Sequence, residues 1–298
     1  ADVCISICWP LHHERMPWGM DARLAILHVV TDPTELTRVG KPDIGSVADA
    51  SGATRLLLDK IPAHNRSRPS RTEEMEALKA EFQAQFEARL GPQMEWVAAL
   101  RAALPEDGFL VDEFTQVAYA CRVGFPTYGP RTLVSPGYQG TLGYASPTAK
   151  SAKVGMPDRK VLAISGDGGC MFNVQELATA AQHGIDIVLV VFNDGAVGNV
   201  KRFQQQMFDG KEIAVELKNP DFMKLADAFG VQGFRVNKPA ELERAIGEGF
   251  STPGPTLIEY PHGAVPDPWH LNQLGQVRGW GVGGWSGGGG GCRGGGGG

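Results

Sequence analysis

Apolar residues along this chain follow two rhythms, and the change between them falls near residue 105. Residues 73–104 place Met75, Leu78, Phe82, Phe86 and Leu90 at three- and four-residue steps, which predicts one or two amphipathic helices packed against a neighbouring domain. From 107 to 261 short apolar runs alternate with helical stretches. Strands are predicted at 160–165, 185–192 and 256–260, and helices at 173–183, 220–229 and 240–249. The strand runs lack polar alternation, so they predict a parallel sheet covered by helices on both faces, an α/β fold. Before residue 105, an apolar stretch at 24–30, an Asp32-Pro33 turn and a helical segment at 51–61 look like the end of another α/β domain.

The expected organisation has five parts. Residues 1–21 have no clear period and are expected to be disordered, 22–64 close a middle α/β domain, and 65–104 form a helical linker. Residues 105–269 form the main α/β domain, and 270–298 are a glycine-rich tail with almost nothing to bury, expected to be disordered. The chain does not begin with Met and its first twenty residues are irregular, which suggests a piece of a longer protein or a misread terminus.

A net charge of −5 without a sustained Lys/Arg run argues against nucleic acid or an anionic membrane surface as the main partner and favours a small molecule. The longest apolar runs, such as 187–192, are strand-sized, whereas crossing a bilayer takes roughly 20 residues. Of five cysteines, three (Cys4, Cys8, Cys292) lie in the irregular ends. Cys121 and Cys170 are too few for a disulfide framework, so a reducing, cytoplasmic setting is expected. Cys4 and Cys8 with His12 and His13 lack the second ligand pair that a zinc site of this spacing needs.

Ligands of parallel sheets sit at the carboxyl ends of the strands, and the unusual residues of this sequence fall there. The strand at 160–165 runs into Gly166-Asp167-Gly168-Gly169, and the strand ending at Phe192 into Asn193-Asp194-Gly195-Ala196. Two carboxylates, Asp167 and Asp194, with the carbonyl of Ala196, make an oxygen set suited to Mg2+, which usually completes its octahedron with phosphate and water. Gly168 and Gly169 would let backbone N–H groups approach a phosphate, and a helix starting near Asn173 would direct its positive end there. A dinucleotide-binding site is disfavoured, because Met171 stands where the third glycine of that fingerprint belongs.

The run from Gly166 through the helix at 173–183 to Asn193-Asp194-Gly195 resembles the thiamine-diphosphate (ThDP) enzymes of the acetolactate synthase and 2-oxo acid decarboxylase family, in their C-terminal, pyrophosphate-binding part. A second match, Ser135-Pro136-Gly137-Tyr138-Gln139-Gly140-Thr141-Leu142-Gly143-Tyr144, resembles the segment beneath the cofactor's aminopyrimidine ring. The resemblance implies metal binding by Asp167, Asp194 and Ala196. It implies cofactor contacts from Thr115, Gln116, Gly140, Thr141, Leu142, Gly166, Gly168, Gly169, Gly198 and Asn199. Leu142 would be the apolar wedge that bends the cofactor, and the Gly140 carbonyl would accept from its 4'-amino group. Asp194 departs from the family, where Asn is commoner.

By the same resemblance the cofactors are ThDP and Mg2+, the substrate is a small 2-oxo acid, and the full-length enzyme is a homodimer or homotetramer. The activating glutamate belongs to a separate pyrimidine-binding domain that nothing here resembles, so no catalytic residue is assigned and the chain alone is expected to turn over little. The first reading is a carboligase of the acetolactate synthase type. A decarboxylase or carbon–carbon lyase of the same family, and a non-catalytic cofactor-binding module, stay open beside it. Without a second domain the first bases to mutate would be Glu113 and Glu176, although Glu176 and His183 are read as structural or solvated.

Overall fold

The computed structural model of the chain describes residues 3–9, 24–38, 40–65, 69–137, 139–266 and 268. It divides into two compact units, meeting in sequence at Ser70 and Arg71. The glycine-rich stretch at 270–298, Cys292, His12, His13 and Tyr138 lie outside the described residues. Among the described residues no helix is long and apolar enough to cross a membrane.

The first unit holds a parallel three-stranded sheet in the order β1 (Val3–Ile7), β2 (Ala25–Val30), β3 (Ile44–Val47). Helix α1 (Ala50–Lys60) follows, opened by Asp49, whose carboxylate accepts from the Gly52 amide at 3.0 Å. The carboxylate of Asp43 accepts from the Ile26 amide at 2.7 Å and so fastens the loop before β3 to the start of β2. The end of an α/β domain was expected for 22–64, and the expectation of disorder for 1–21 fails at β1. Val3 and Ile5 remain exposed there, so the strand is placed by its backbone ladder to the apolar β2, which a hydrophobic pattern does not register.

The second unit is a six-stranded, all-parallel sheet in the order β5-β4-β6-β7-β9-β8. Its strands are β4 (Phe109–Val111), β5 (Leu133–Val134), β6 (Val161–Gly166), β7 (Val188–Asn193), β8 (Gln232–Arg235) and β9 (Thr256–Pro261). Both faces of the central strands are buried. Val161, Ala163, Leu189, Val191 and Leu257 join Ala145, Leu177, Phe222 and Ala226 in one core, while the alternate positions, Phe192 among them, point to the opposite face, where Trp96 meets Phe192 edge-on.

Helix α2 (Thr72–Ala103) corrects the reading of 65–104 as a linker. It bends at Leu90, whose φ of −120° and ψ of 27° are not helical, two residues before Pro92. Proline removes a backbone donor and crowds the preceding turn. Beyond the bend, Leu90, Met94, Trp96, Val97 and Leu100 are buried, so this half belongs to the core of the second unit. Before it, Met75, Leu78 and Phe82 are exposed, contrary to the packing expected of that stripe.

The remaining helices are α3 (Gln116–Gly124), α4 (Ala145–Gly155), α5 (Asp167–Phe172), α6 (Glu176–His183), α7 (Gly198–Met207), α8 (Phe222–Ala228) and α9 (Pro239–Ser251). The helix predicted for 173–183 is found at 176–183, and a separate short helix, α5, precedes it. The chain leaves helical geometry at Asn173, whose side-chain amide donates to the Gly143 carbonyl at 2.7 Å.

Candidate diphosphate and metal site

The site is built where β6 and β7 end side by side. Their register pairs Gly166 with Phe192, which brings Asp167 level with Asn193 and next to Asp194. Asp167 is buried, and its Oδ2 accepts from the Gly195 amide at 3.0 Å and from the Asn219 side-chain amide at 2.5 Å. Asn219 also donates to Asn193 Oδ1 at 3.0 Å, and Asn193 donates in turn to the buried Glu259 at 2.8 Å. Arg235 holds the other Glu259 oxygen at 2.8 Å. A continuous polar network therefore fixes the direction of the Asp167 carboxylate. Asn219 was missed in the sequence, and only its place in an Asn-Pro pair before a helix could have pointed to it.

Asp194 follows on the loop after β7. Its Oδ1 accepts from the Ala196 amide at 3.2 Å, and its Oδ2 lies 2.3 Å from the point a Cβ on Gly198 would occupy. Gly195, at φ +69°, supplies the left-handed turn between them. Ala196 bridges Glu216 through bonds made by the Gly195 carbonyl and the Val197 amide, so its own carbonyl takes no part in that bridge. Burial pushes the Asp167 carboxyl above its ordinary range, and the neighbouring Asp194 charge pushes the same way.

This donor set fits magnesium bound to a diphosphate. The Asp194 charge adds to the cost of ionising the buried Asp167, and a divalent cation held by both carboxylates would offset it. Among the described residues no group of three or more His, Cys, Asp or Glu is placed to hold a metal. Two carboxylates and a carbonyl suit an ion that draws its other ligands from phosphate and water. Gln116, Asp194, Ala196 and Gly198 line one cavity of about 230 Å³, together with Lys201, Arg202 and Val265. That volume suits a diphosphate and the metal beside it.

The structure places the other predicted residues variously. Gly166 lies against Thr115, whose Cβ is 3.8 Å from where a Cβ on the glycine would sit. Asn199 is in the first turn of α7, one residue past Gly198. At Gly169 a Cβ would sit 1.5 Å from Glu113 Oε1, which is a reason for glycine there besides the phosphate approach expected of it. The short helix beginning at Asp167 itself, and not a helix from Asn173, opens at the site. Gly140, Thr141 and Leu142 are not among the residues lining that cavity. They are held near the Asp167 loop through Gly143, whose carbonyl takes the Asn173 bond, and through the Ala145 amide, which donates to Glu113 at 3.0 Å. Gly140 has φ +65° and packs on Phe114.

Two further groups are excluded from chemistry. Glu176 pairs with the buried Lys150 at 3.2 Å. Burial pushes the Cys170 thiol up to about 12, so it stays protonated and unreactive.

Residues 115–260 match the family model described as thiamine pyrophosphate enzyme, C-terminal TPP binding domain. The chain belongs to the thiamine-diphosphate enzyme family. Among its relatives is a probable 2-ketoarginine decarboxylase of Pseudomonas aeruginosa, 31% identical over 250 residues, which are 84% of this chain and 44% of that protein. The acetolactate synthase isozyme 3 large subunit of Escherichia coli is 25% identical over 266 residues, 86% of this chain and 46% of the relative. This ThDP-family chain therefore spans less than half the length of these curated relatives. Its fold is shared with a ThDP-dependent 4-hydroxybenzoylformate decarboxylase of Rhodococcus jostii, at a TM-score of 0.67 and 24% identity, over 82% of this chain and 45% of that one.

Proposed function

We propose that the second unit binds ThDP through a magnesium-bridged diphosphate and serves a 2-oxo acid carboligase of the acetolactate synthase type. The observation that carries the reading is the side-by-side placement of Asp167 and Asp194 at adjacent strand ends, with glycines at 166, 168, 195 and 198. ThDP, when bound, supplies the nucleophilic carbon and the electron sink for cleaving a 2-oxo acid. Asp167, Asp194 and the Ala196 carbonyl would hold the metal. Gln116, Gly168, Gly198 and Asn199 would hold the diphosphate, and the Gly140–Leu142 segment would support the aminopyrimidine. None of these residues is placed to protonate or deprotonate the pyrimidine ring, so that carboxyl group is expected from a pyrimidine-binding domain of a partner or longer chain. A cytoplasmic homo-oligomer accords with this arrangement.

A second reading, decarboxylation without carboligation, is favoured by the likeness to the probable 2-ketoarginine decarboxylase across 84% of the chain. The test is to supply the protein with ThDP, Mg2+ and pyruvate, with and without a separate pyrimidine-binding domain, and to follow carbon dioxide and products. Cofactor-dependent release that rises with the added domain and yields acetolactate supports the first reading. Acetaldehyde alone supports the second, and release indifferent to ThDP contradicts both.

A further inference from the structure

Gln116 is buried, opens α3 and lines the cavity assigned above to the diphosphate. Diphosphate oxygens only accept hydrogen bonds, whereas a glutamine side chain has one end that donates and one that accepts. Turned one way it would bind the anion, and turned the other way its carbonyl would repel it. The neighbour that decides is Arg202, on α7, whose Nη1 donates to Gln116 Oε1 at 3.2 Å while its Nη2 donates to the Val265 carbonyl at 2.9 Å. A guanidinium has donors only, so it can hold nothing but the carbonyl end of Gln116. The amide N–H groups of Gln116 are thereby committed to the other side.

Charge points the same way. Two carboxylates and a diphosphate together carry more negative charge than one divalent cation neutralises, and Asp194 and Arg202 line the same cavity. The other cation on that wall, Lys201, is already shared between Glu212 and Glu216.

We propose that Arg202 is a positioning residue of the diphosphate site: it orients the Gln116 amide to donate into the cavity, and its charge offsets that of Asp194. The inference rests on the cofactor reading above. Clamped between the Gln116 and Val265 carbonyls, the guanidinium is fixed before the ligand arrives, so little ordering remains to be done on binding.

The test is calorimetric titration of the wild-type chain and of Arg202→Met, Arg202→Lys, Gln116→Met and the Gln116→Met/Arg202→Met double variant. Inorganic pyrophosphate with Mg2+ is the first probe and ThDP with Mg2+ the second, and each ligand-free variant is also melted. Arg202→Met should weaken pyrophosphate binding about tenfold, the scale of one charge-assisted contact. Arg202→Lys should fall between, because an ammonium cannot span both carbonyls. The double variant should lose much less than the product of the two single losses, and adding Asp194→Asn to Arg202→Met should recover part of the affinity. A lowered melting temperature with unchanged pyrophosphate affinity would leave Arg202 a purely structural clamp and overturn the proposal. If the wild-type chain takes up neither probe, the cofactor reading itself fails; if it takes up both and Arg202→Met does so equally, only the proposal fails.

Discussion

Gly169 shows how much of this site is decided by single atoms. A glycine inside a helix is ordinarily replaced by alanine with a gain of about 0.5–1 kcal/mol, since alanine has less backbone entropy to lose. Here the added methyl would meet Glu113 Oε1 at 1.5 Å and its Cδ at 2.7 Å. Glu113 cannot retreat freely, because it is buried and its Oε2 accepts from the Ala145 amide at 3.0 Å. One buried carboxyl thus joins the segment ending at Ala145 to the helix that starts at Asp167. Gly169→Ala should therefore destabilise the protein by roughly 1–3 kcal/mol, as overpacking does. The Glu113→Ala/Gly169→Ala pair should be less destabilised than the two single losses summed, as expected of touching residues. Thermal denaturation reads both, and an unchanged or raised melting point for Gly169→Ala would refute the contact. Asp167 and Asp194 were legible in the sequence because each directly follows an apolar strand. Glu113 and Asn219 were not, since their roles depend on partners far along the chain, 52 positions away for Asn219 and Asp167.

At the scale of elements, the sequence revealed what burial makes continuous. β6 and β7 are covered on both faces and read as apolar runs, so their existence was predictable, as was that of β9. β4 and β5 have only three and two residues, too few to display any period. α2 misled in another way, because an even stripe of apolar residues runs through a helix whose two halves have different surroundings. Past the bend, Trp96 stacks on Tyr260 with ring centroids 3.8 Å apart and meets Phe192 edge-on at 6.0 Å. If this half is core and not linker, Trp96→Ala should cost about 3–5 kcal/mol. In a unit of this size that lowers the melting temperature by roughly 10 °C. A loss below about 0.5 kcal/mol, typical of an exposed position, would return the helix to the status of a linker.

For the molecule as a whole, the family match covers 115–260, almost all of the six-stranded sheet and its site. The strand order brings β6 and β7 together at its centre, and everything assigned to the metal rests on that one adjacency. Binding at this site is separable from turnover and can be measured without identifying a substrate. ThDP should be titrated calorimetrically into the wild-type chain with Mg2+, into the same protein with a chelator in place of the metal, and into Asp167→Ala with Mg2+. Saturable binding in the first case, lost in the other two, is the predicted result. Binding of equal affinity without the metal, or in Asp167→Ala, would contradict it.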